Sequence, residues 1–230
     1  MAKTIATEKG RALFPHLTPG KPNEKFYDGK EGSKAPYEVL LCGTPESLES
    51  TIKKLQAVHQ KAIDARKAEI ENTKKKLKVF PFPMVETVED KDGNPTGEVA
   101  LKCKLNAEEW TDEEIQEAAK DNIKLSGWRT DQFTIYDSQG KPYQGTEEIG
   151  NGSIIKVGIL PRTWTSPSLG VGITLRIGAI QIIELMSKSG VPSDAEGWGF
   201  GKEDGFTTAE ESTPKTSFEK EEDTEVNFNF

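Results

Sequence analysis

Residues 150–185, GNGSIIKVGILPRTWTSPSLGVGITLRIGAIQIIEL, decide how the chain folds. The runs 152–160 and 171–185 are rich in Ile, Val, Leu and Thr and contain glycines but no proline. β-Branched side chains suit a pleated, half-buried surface, so both runs read as strands. Ile155, Val157 and Ile159 share one face of the first run, with Lys156 on the other. In the second, Ile173, Leu175 and Ile177 oppose Thr174 and Arg176. Each strand thus has an apolar face for a core and a face that carries a cation. Gly158, Gly170, Gly172 and Gly178 permit the bends or bulges that a small closed sheet needs. The intervening 161–168, with Pro161, Arg162, Trp164 and Pro167, reads as a loop exposing its tryptophan.

Working outward, 37–42 is the first clear strand. Thr44-Pro45-Glu46 then opens a helix well, with Thr as N-cap, Pro at the first helical position and an acid at the positive end of the dipole. Leu48, Ile52, Leu55, Val58, Ala62 and Ile63 form an apolar stripe on it, and the helix is expected to reach about Lys75. The run 79–88 contains Pro81 and Pro83 and can be only an edge strand or irregular. In 99–105, Val99, Leu101, Cys103 and Leu105 point inward and Lys102 and Lys104 outward. Thr111 to Glu114 is a capping box for a short helix to about Lys120. In 133–137, Phe133 and Ile135 point inward and Tyr136 outward. The architecture expected is mainly β: a five-stranded Greek-key barrel of the OB type, with one long helix after the first strand and a short inserted helix.

The remaining chain divides by composition. Residues 1–36 are polar and read as a basic, aromatic arm, although Ala12-Leu13-Phe14 has the makings of a short strand. Tyr27, Lys30 and Lys34 make a basic-aromatic cluster there, which fits a nucleic-acid contact or a solvated loop equally well. The barrel is assigned to 37–188. From 191 to 230 there are eleven acidic residues and three lysines, a net −8 equal to that of the whole chain, so the first 190 residues balance at zero. The segment 189–230 is expected to be a disordered acidic tail, too poor in apolar surface to offset its ordering entropy. Cys42 and Cys103 lack metal or redox spacing and read as buried thiols of a reducing compartment. There is no apolar leader, and no apolar run reaches membrane-spanning length, so a cytoplasmic protein without a membrane partner is expected.

The chemistry lies on the outward faces. Lys102, Lys104, Lys156 and Arg176 project from three strands, Tyr136 joins them, and Arg162 and Trp164 come from the loop. Single-strand binders need this mixture, because cations follow phosphates and aromatic faces stack bases without reading sequence. The alternative is that Trp164 packs on the barrel and the lysines are merely solvated. His16 and His59 have no acid or serine at catalytic spacing. Gly150-Asn151-Gly152 is a turn, without the helix that a phosphate-cradling loop requires. No enzyme, cofactor or metal is expected. In the tail, Glu221, Glu222 and Asp223 followed by Phe228 and Phe230 combine negative charge with a terminal aromatic, a form that enters basic-rimmed pockets.

The order Ile149-Gly150-Asn151-Gly152-Ser153, Lys156-Val157, Leu160-Pro161, Trp164 and Ile183-Glu184-Leu185 resembles the OB-fold single-stranded DNA-binding proteins of short-tailed phages. Met1-Ala2-Lys3, Leu101-Lys102-Cys103, Asp137-Ser138-Gln139-Gly140-Lys141 and the acidic tail ending in phenylalanine extend the resemblance over nearly the whole chain. It implies a sequence-nonspecific protein that coats and protects single-stranded DNA in phage replication, recombination and repair within an infected bacterial cell. Trp164, Arg162, Lys156, Arg176, Lys102, Lys104, Tyr136 and Lys34 are the DNA-contact candidates. The resemblance further implies a tail that recruits the replicative DNA polymerase and the helicase-primase and competes with DNA, and dimers formed through tail and barrel. The competing expectation is a non-catalytic interaction or adaptor module with an OB-like barrel whose sheet face binds protein.

Overall fold

The computed structural model describes residues 4–188, apart from 26, 31–33, 72, 74–75 and 169. Its strands are β1 (Ile5–Ala6), β2 (Gly10–His16), β3 (Pro36–Gly43), β4 (Met84–Val85), β5 (Val99–Asn106), β6 (Thr134–Tyr136), β7 (Ile154–Ser166) and β8 (Gly170–Glu184). Two helices, α1 (Pro45–Ile70) and α2 (Asp112–Lys120), interrupt them. Pairing runs β7-β2-β3-β5-β8, and β8 pairs again with β7, so five strands close into a barrel. The β5–β8 contact is parallel and the other four are antiparallel. That is the Greek-key closure of an OB fold.

The barrel interior follows the alternation of the strands. Val39, Leu41, Leu101, Cys103, Ile155, Val157, Ile159, Leu175 and Ile177 are buried on the inner face. α1 adds Leu48 and Leu55 to the same core and lies against β1, β7 and β8. Its start is as the sequence dictates: the Thr44 hydroxyl accepts from the Ser47 N–H at 3.2 Å, and Pro45 occupies the first turn. Ile52 and Val58 pack on the core, whereas Ala62 and Ile63 are only half-buried. The helix ends at Ile70, short of Lys75. α2 carries the expected capping box, with Thr111 and Glu114 each accepting from the other's backbone N–H.

Two strands differ from expectation. The barrel's first strand is β2, inside the segment read as an arm, and β1 pairs with β7 at Ile5↔Ile159. The arm 1–36 is therefore not separate from the barrel among the described residues, while α1 follows the strand read at 37–42, as expected. Conversely, the strand read at 133–137 is β6, which lies outside the ring and adds to β8 in parallel at Tyr136↔Gln181. Alternation identifies a strand but not its neighbours. The loop read at 161–168 is also mostly strand, since β7 runs to Ser166 and pairs with β8 as far as Ser166↔Gly170. Beyond Ile159, β8 is the only strand beside β7 among the described residues, so Pro161 sits where one edge is open.

β2 itself is irregular. Leu13 pairs with Leu40 and His16 with Glu38, leaving Phe14 and Pro15 opposite the single residue Val39. Phe14 lies in the left-handed region at φ 49°, a bulge position that glycine usually takes. Such a conformation costs a non-glycine residue about 1–3 kcal/mol.

On the outside of the barrel, Cys42, Ala100 and Val88 form a second buried cluster with Leu13, Leu40 and Val85 packed on it. The 85–98 hairpin thereby covers one end of the β2–β3–β5 outer surface, and Arg11 pairs with Glu98 beside it. The tail positions Glu221, Glu222, Asp223, Phe228 and Phe230 lie outside the described residues.

Candidate nucleic-acid interface

Residues opposite each other in an antiparallel pair face the same side, so the β7–β8 register fixes what shares the outer surface. Leu160 opposes Arg176, Arg162 opposes Thr174, and Trp164 opposes Gly172. Ile173, Leu175 and Ile177 are buried inside, so this set points out. On the other side of β8, the bridge Cys103↔Leu175 sets Lys102 level with Thr174 and Lys104 level with Arg176. Four of the cations expected from sequence thus share two adjoining rungs across β5, β8 and β7. Arg162, Lys102 and Lys104 are exposed, and Arg176 is half-buried.

Charge pairing separates this group from several other cations of the molecule. Arg11, Lys21, Arg66, Arg129 and Lys188 each meet a carboxylate. Among the described residues, Lys102, Lys104, Lys156, Arg162 and Arg176 form no ion pair. The first 190 residues balance at zero with these cations included, so what marks the strip is that five of them gather on one outer surface without an ion pair.

Trp164 is neither free nor fully packed. A Cβ at Gly172 would run into its ring, so the indole lies against bare backbone of β8. Phe80 flanks it with ring centroids 5.3 Å apart and planes at 60°. The 78–80 segment is held there by Phe80 N–H donating to Val171 O at 2.8 Å and Val171 N–H donating to Lys78 O at 3.0 Å. Gly170 is required beside it, since its φ is +93° and a side chain there would strike Lys78. Phe80 is 43 % exposed and Val79 47 %. The sequence reading missed Phe80. Its signal was the pattern Phe80-Pro81-Phe82-Pro83 after a lysine run, two rings on a segment stiffened by proline. Phe82 packs on the core, and Phe80 stays outside beside Trp164.

Lys156 and Tyr136 share the same outer surface but stand apart from the four cations. Both are level with Gln181, whose amide donates to Asp137 O and Ser138 O at 3.2 Å. Lys156 and Leu160 are four positions apart on β7, about 13 Å. Lys34 is exposed at the end of the β2–β3 loop. Its neighbour Ala35 accepts from Ala107 N–H, which places the lysine just beyond Asn106 of β5. Tyr27 and Lys30 do not join it. Tyr27 donates to Glu109 at 2.8 Å, which pushes its phenol pKa up, and Lys30 pairs with Asp28 at 3.4 Å.

The remaining reactive types are inert. Burial pushes the Cys103 thiol up to about 12 and Cys42 to about 11, leaving both protonated at neutral pH. His59 is buried on α1 beside Phe82, and burial lowers its pKa. Among the described residues no group of three or more His, Cys, Asp or Glu side chains could hold a metal ion, and no helix is long and apolar enough to cross a membrane.

No family model matches the chain, and no curated protein matches its sequence. Solved structures do match. A single-stranded DNA-binding protein of bacteriophage Enc34, in complex with ssDNA, aligns at 17 % identity over 78 % of this chain and 85 % of that one, with a TM-score of 0.44. The bacteriophage T7 protein gp2.5, a single-stranded DNA-binding protein, aligns at 20 % identity over 80 % of this chain and 94 % of that one, with a TM-score of 0.59. At the level of the fold, the chain is similar to this phage single-stranded DNA-binding protein.

Proposed function

We propose that the chain binds single-stranded DNA without reading its sequence, and without catalysis, across the outer face of β5, β8 and β7. The observation that carries this is the juxtaposition of Arg162, Lys102, Arg176 and Lys104, none ion-paired among the described residues, with the Phe80–Trp164 pair. OB barrels bind oligonucleotides on the face of their second and third strands and the flanking loops, here β3, β5, the β2–β3 loop and the β7–β8 hairpin. Cations there track phosphates and aromatic rings stack bases, each base contributing about 1–3 kcal/mol. Lys156, Tyr136 and Lys34 extend the contact at its margins. The fold shared with the T7 protein supports the reading.

The wider role rests on the sequence resemblance. It is coating and protection of single strands in phage replication, recombination and repair inside the infected host cell. The acidic tail, through Glu221, Glu222, Asp223, Phe228 and Phe230, recruits the replicative polymerase and the helicase-primase, and two copies associate as a dimer. Deletion of 189–230 is expected to tighten DNA binding and to abolish capture of the polymerase. Weaker DNA binding by the shortened chain would count against competition by the tail.

The test is a tryptophan-fluorescence titration with mixed-sequence single-stranded and duplex oligonucleotides at several salt concentrations. Preference for the single strand is expected, with log affinity falling against log salt at a slope of about −3 for four or five phosphate contacts. No binding at low salt, with the tail deleted as well, would leave the exposed Phe80, Val79 and Leu77 as a surface for protein and favour the adaptor reading.

A further inference from the structure

The bulge in β2 holds a second aromatic whose position the barrel does not explain. Phe14 is 64 % exposed, the most exposed large apolar side chain among the described residues. Its φ of 49° lies where a side chain is unfavourable, and a proline follows it. The position is nevertheless fixed: Phe14 N–H donates to Asn151 Oδ1 at 2.6 Å, and the flanking registers Leu13↔Leu40 and His16↔Glu38 bracket it. A glycine would make the same bulge without strain and without presenting a ring to water. Neither the core nor the outer cluster around Cys42 includes the Phe14 side chain.

Its place relative to the cation strip follows from register. Leu13, Leu40 and Lys102 form one row across the outer surfaces of β2, β3 and β5, and His16, Glu38 and Lys104 form the next. Phe14 lies between these rows at the β2 end, two strands from the lysines, or about 10 Å. Phe80 and Trp164 stand at the opposite, β7–β8 end of the same surface. Aromatic, cations and aromatic therefore follow one another around the barrel, across the strands.

Building on the proposed function, we infer that Phe14 is a second base-stacking platform, so that a single strand crosses the barrel from the Phe80–Trp164 pair over the lysines of β5 to β2. The strained bulge aims the ring outward, and the Asn151 side chain holds the bulge in place.

The full-length Phe14→Gly variant tests it, because glycine suits the left-handed backbone and keeps the fold intact. The variant is expected to melt at no lower temperature than the parent. It should bind mixed-sequence single strands roughly five- to tenfold more weakly with an unchanged salt slope, since stacking releases no counterions. Photocrosslinking the parent chain to a bromodeoxyuridine-substituted single strand should give an adduct at Phe14. Parental affinity in the variant, or a weaker affinity with a reduced salt slope, would overturn the inference and leave the β5–β8–β7 interface standing. Failure of the parent chain to bind single strands would overturn both.

Discussion

On the outer face of β7 and β8, Trp164 lies beside arginines and lysines that meet no carboxylate among the described residues; the flank built from the β2–β3 loop and α2 has the same residue types with its arginine and tryptophans tied to carboxylates or rings. There, Arg129 lies over the Trp110 ring at 4.4 Å and is held by Glu114 and Asp131. Trp128 donates to Glu24 and meets the Tyr27 ring edge-on, with centroids 4.9 Å apart, while Tyr27 donates to Glu109. Both regions are aromatic and cationic. One is a tie between an inserted helix and a loop, and the other is open to a ligand. What separates them is partner satisfaction, which composition alone does not reveal.

The largest expected effect breaks that contrast directly. Removing Arg162, Arg176, Lys102 and Lys104 together should reduce the salt slope by about 3, since each lost phosphate contact removes roughly 0.7. At 0.1 M salt that corresponds to a loss on the order of several hundredfold in affinity, with duplex binding lost as well. Arg129→Ala should do the reverse: single-strand affinity and slope unchanged, but a lower melting temperature, because Glu114 and Asp131 lose their partner. If Arg129→Ala weakens binding as much as Arg176→Ala, the division into an open face and a satisfied flank is wrong.

The aromatic pair comes next. Trp164→Ala should weaken single-strand binding by roughly 5- to 150-fold, the span of one stacked base, and leave the salt slope intact. Phe80→Ala should cost less, because its ring supports Trp164 as well as facing solvent. On the flank, Trp128→Phe keeps the contact with Tyr27 and should leave affinity unchanged. Equal loss in Trp164→Phe and Trp164→Ala would point to a contact of the indole N–H rather than to the ring face.

Much of this was legible in the sequence. The hairpin was, because Ile155, Val157 and Ile159 alternate with polar or small residues, as do Ile173, Leu175 and Ile177. So were the Thr44-Pro45 helix start and the Thr111–Glu114 capping box, which are local chemistry. β2 was legible only as the short strand Ala12-Leu13-Phe14: Gly10-Arg11-Ala12-Leu13-Phe14-Pro15-His16 has a glycine at one end and a bulge near the other, and its pairing with β3 and β7 is long-range. β6 shows the opposite error, since Phe133 and Ile135 alternate as a barrel strand would, yet the chain joins β8 outside the ring. The cations were identified as types on outward faces. Which of them come together depended on the parallel Cys103↔Leu175 bridge, and no spacing in the sequence encodes it.

The smallest effect sharpens the comparison through pH. Backbone and hydroxyl donation from Thr111 and the bond to Arg129 hold the Glu114 carboxyl below its ordinary value, and the Arg129 bond does the same for Asp131. Both groups bind protons less readily folded than unfolded. Their stabilising contribution is therefore complete above the unfolded carboxylate range, near 4, and is lost as pH falls through the lower folded values. Among the described residues, no carboxylate forms an ion pair with the cations of the open face. In a Trp164→Phe, Trp198→Phe chain, emission from the flank tryptophans Trp110 and Trp128 should hold steady from pH 7 to 5 and change only below about 4. Arg129→Ala should move the emission change to higher pH, since both carboxylates then titrate closer to their ordinary values. A change already complete at pH 5 in the parent would mean that the flank is not held by these pairs, and the contrast with the open face would then rest on packing instead of charge.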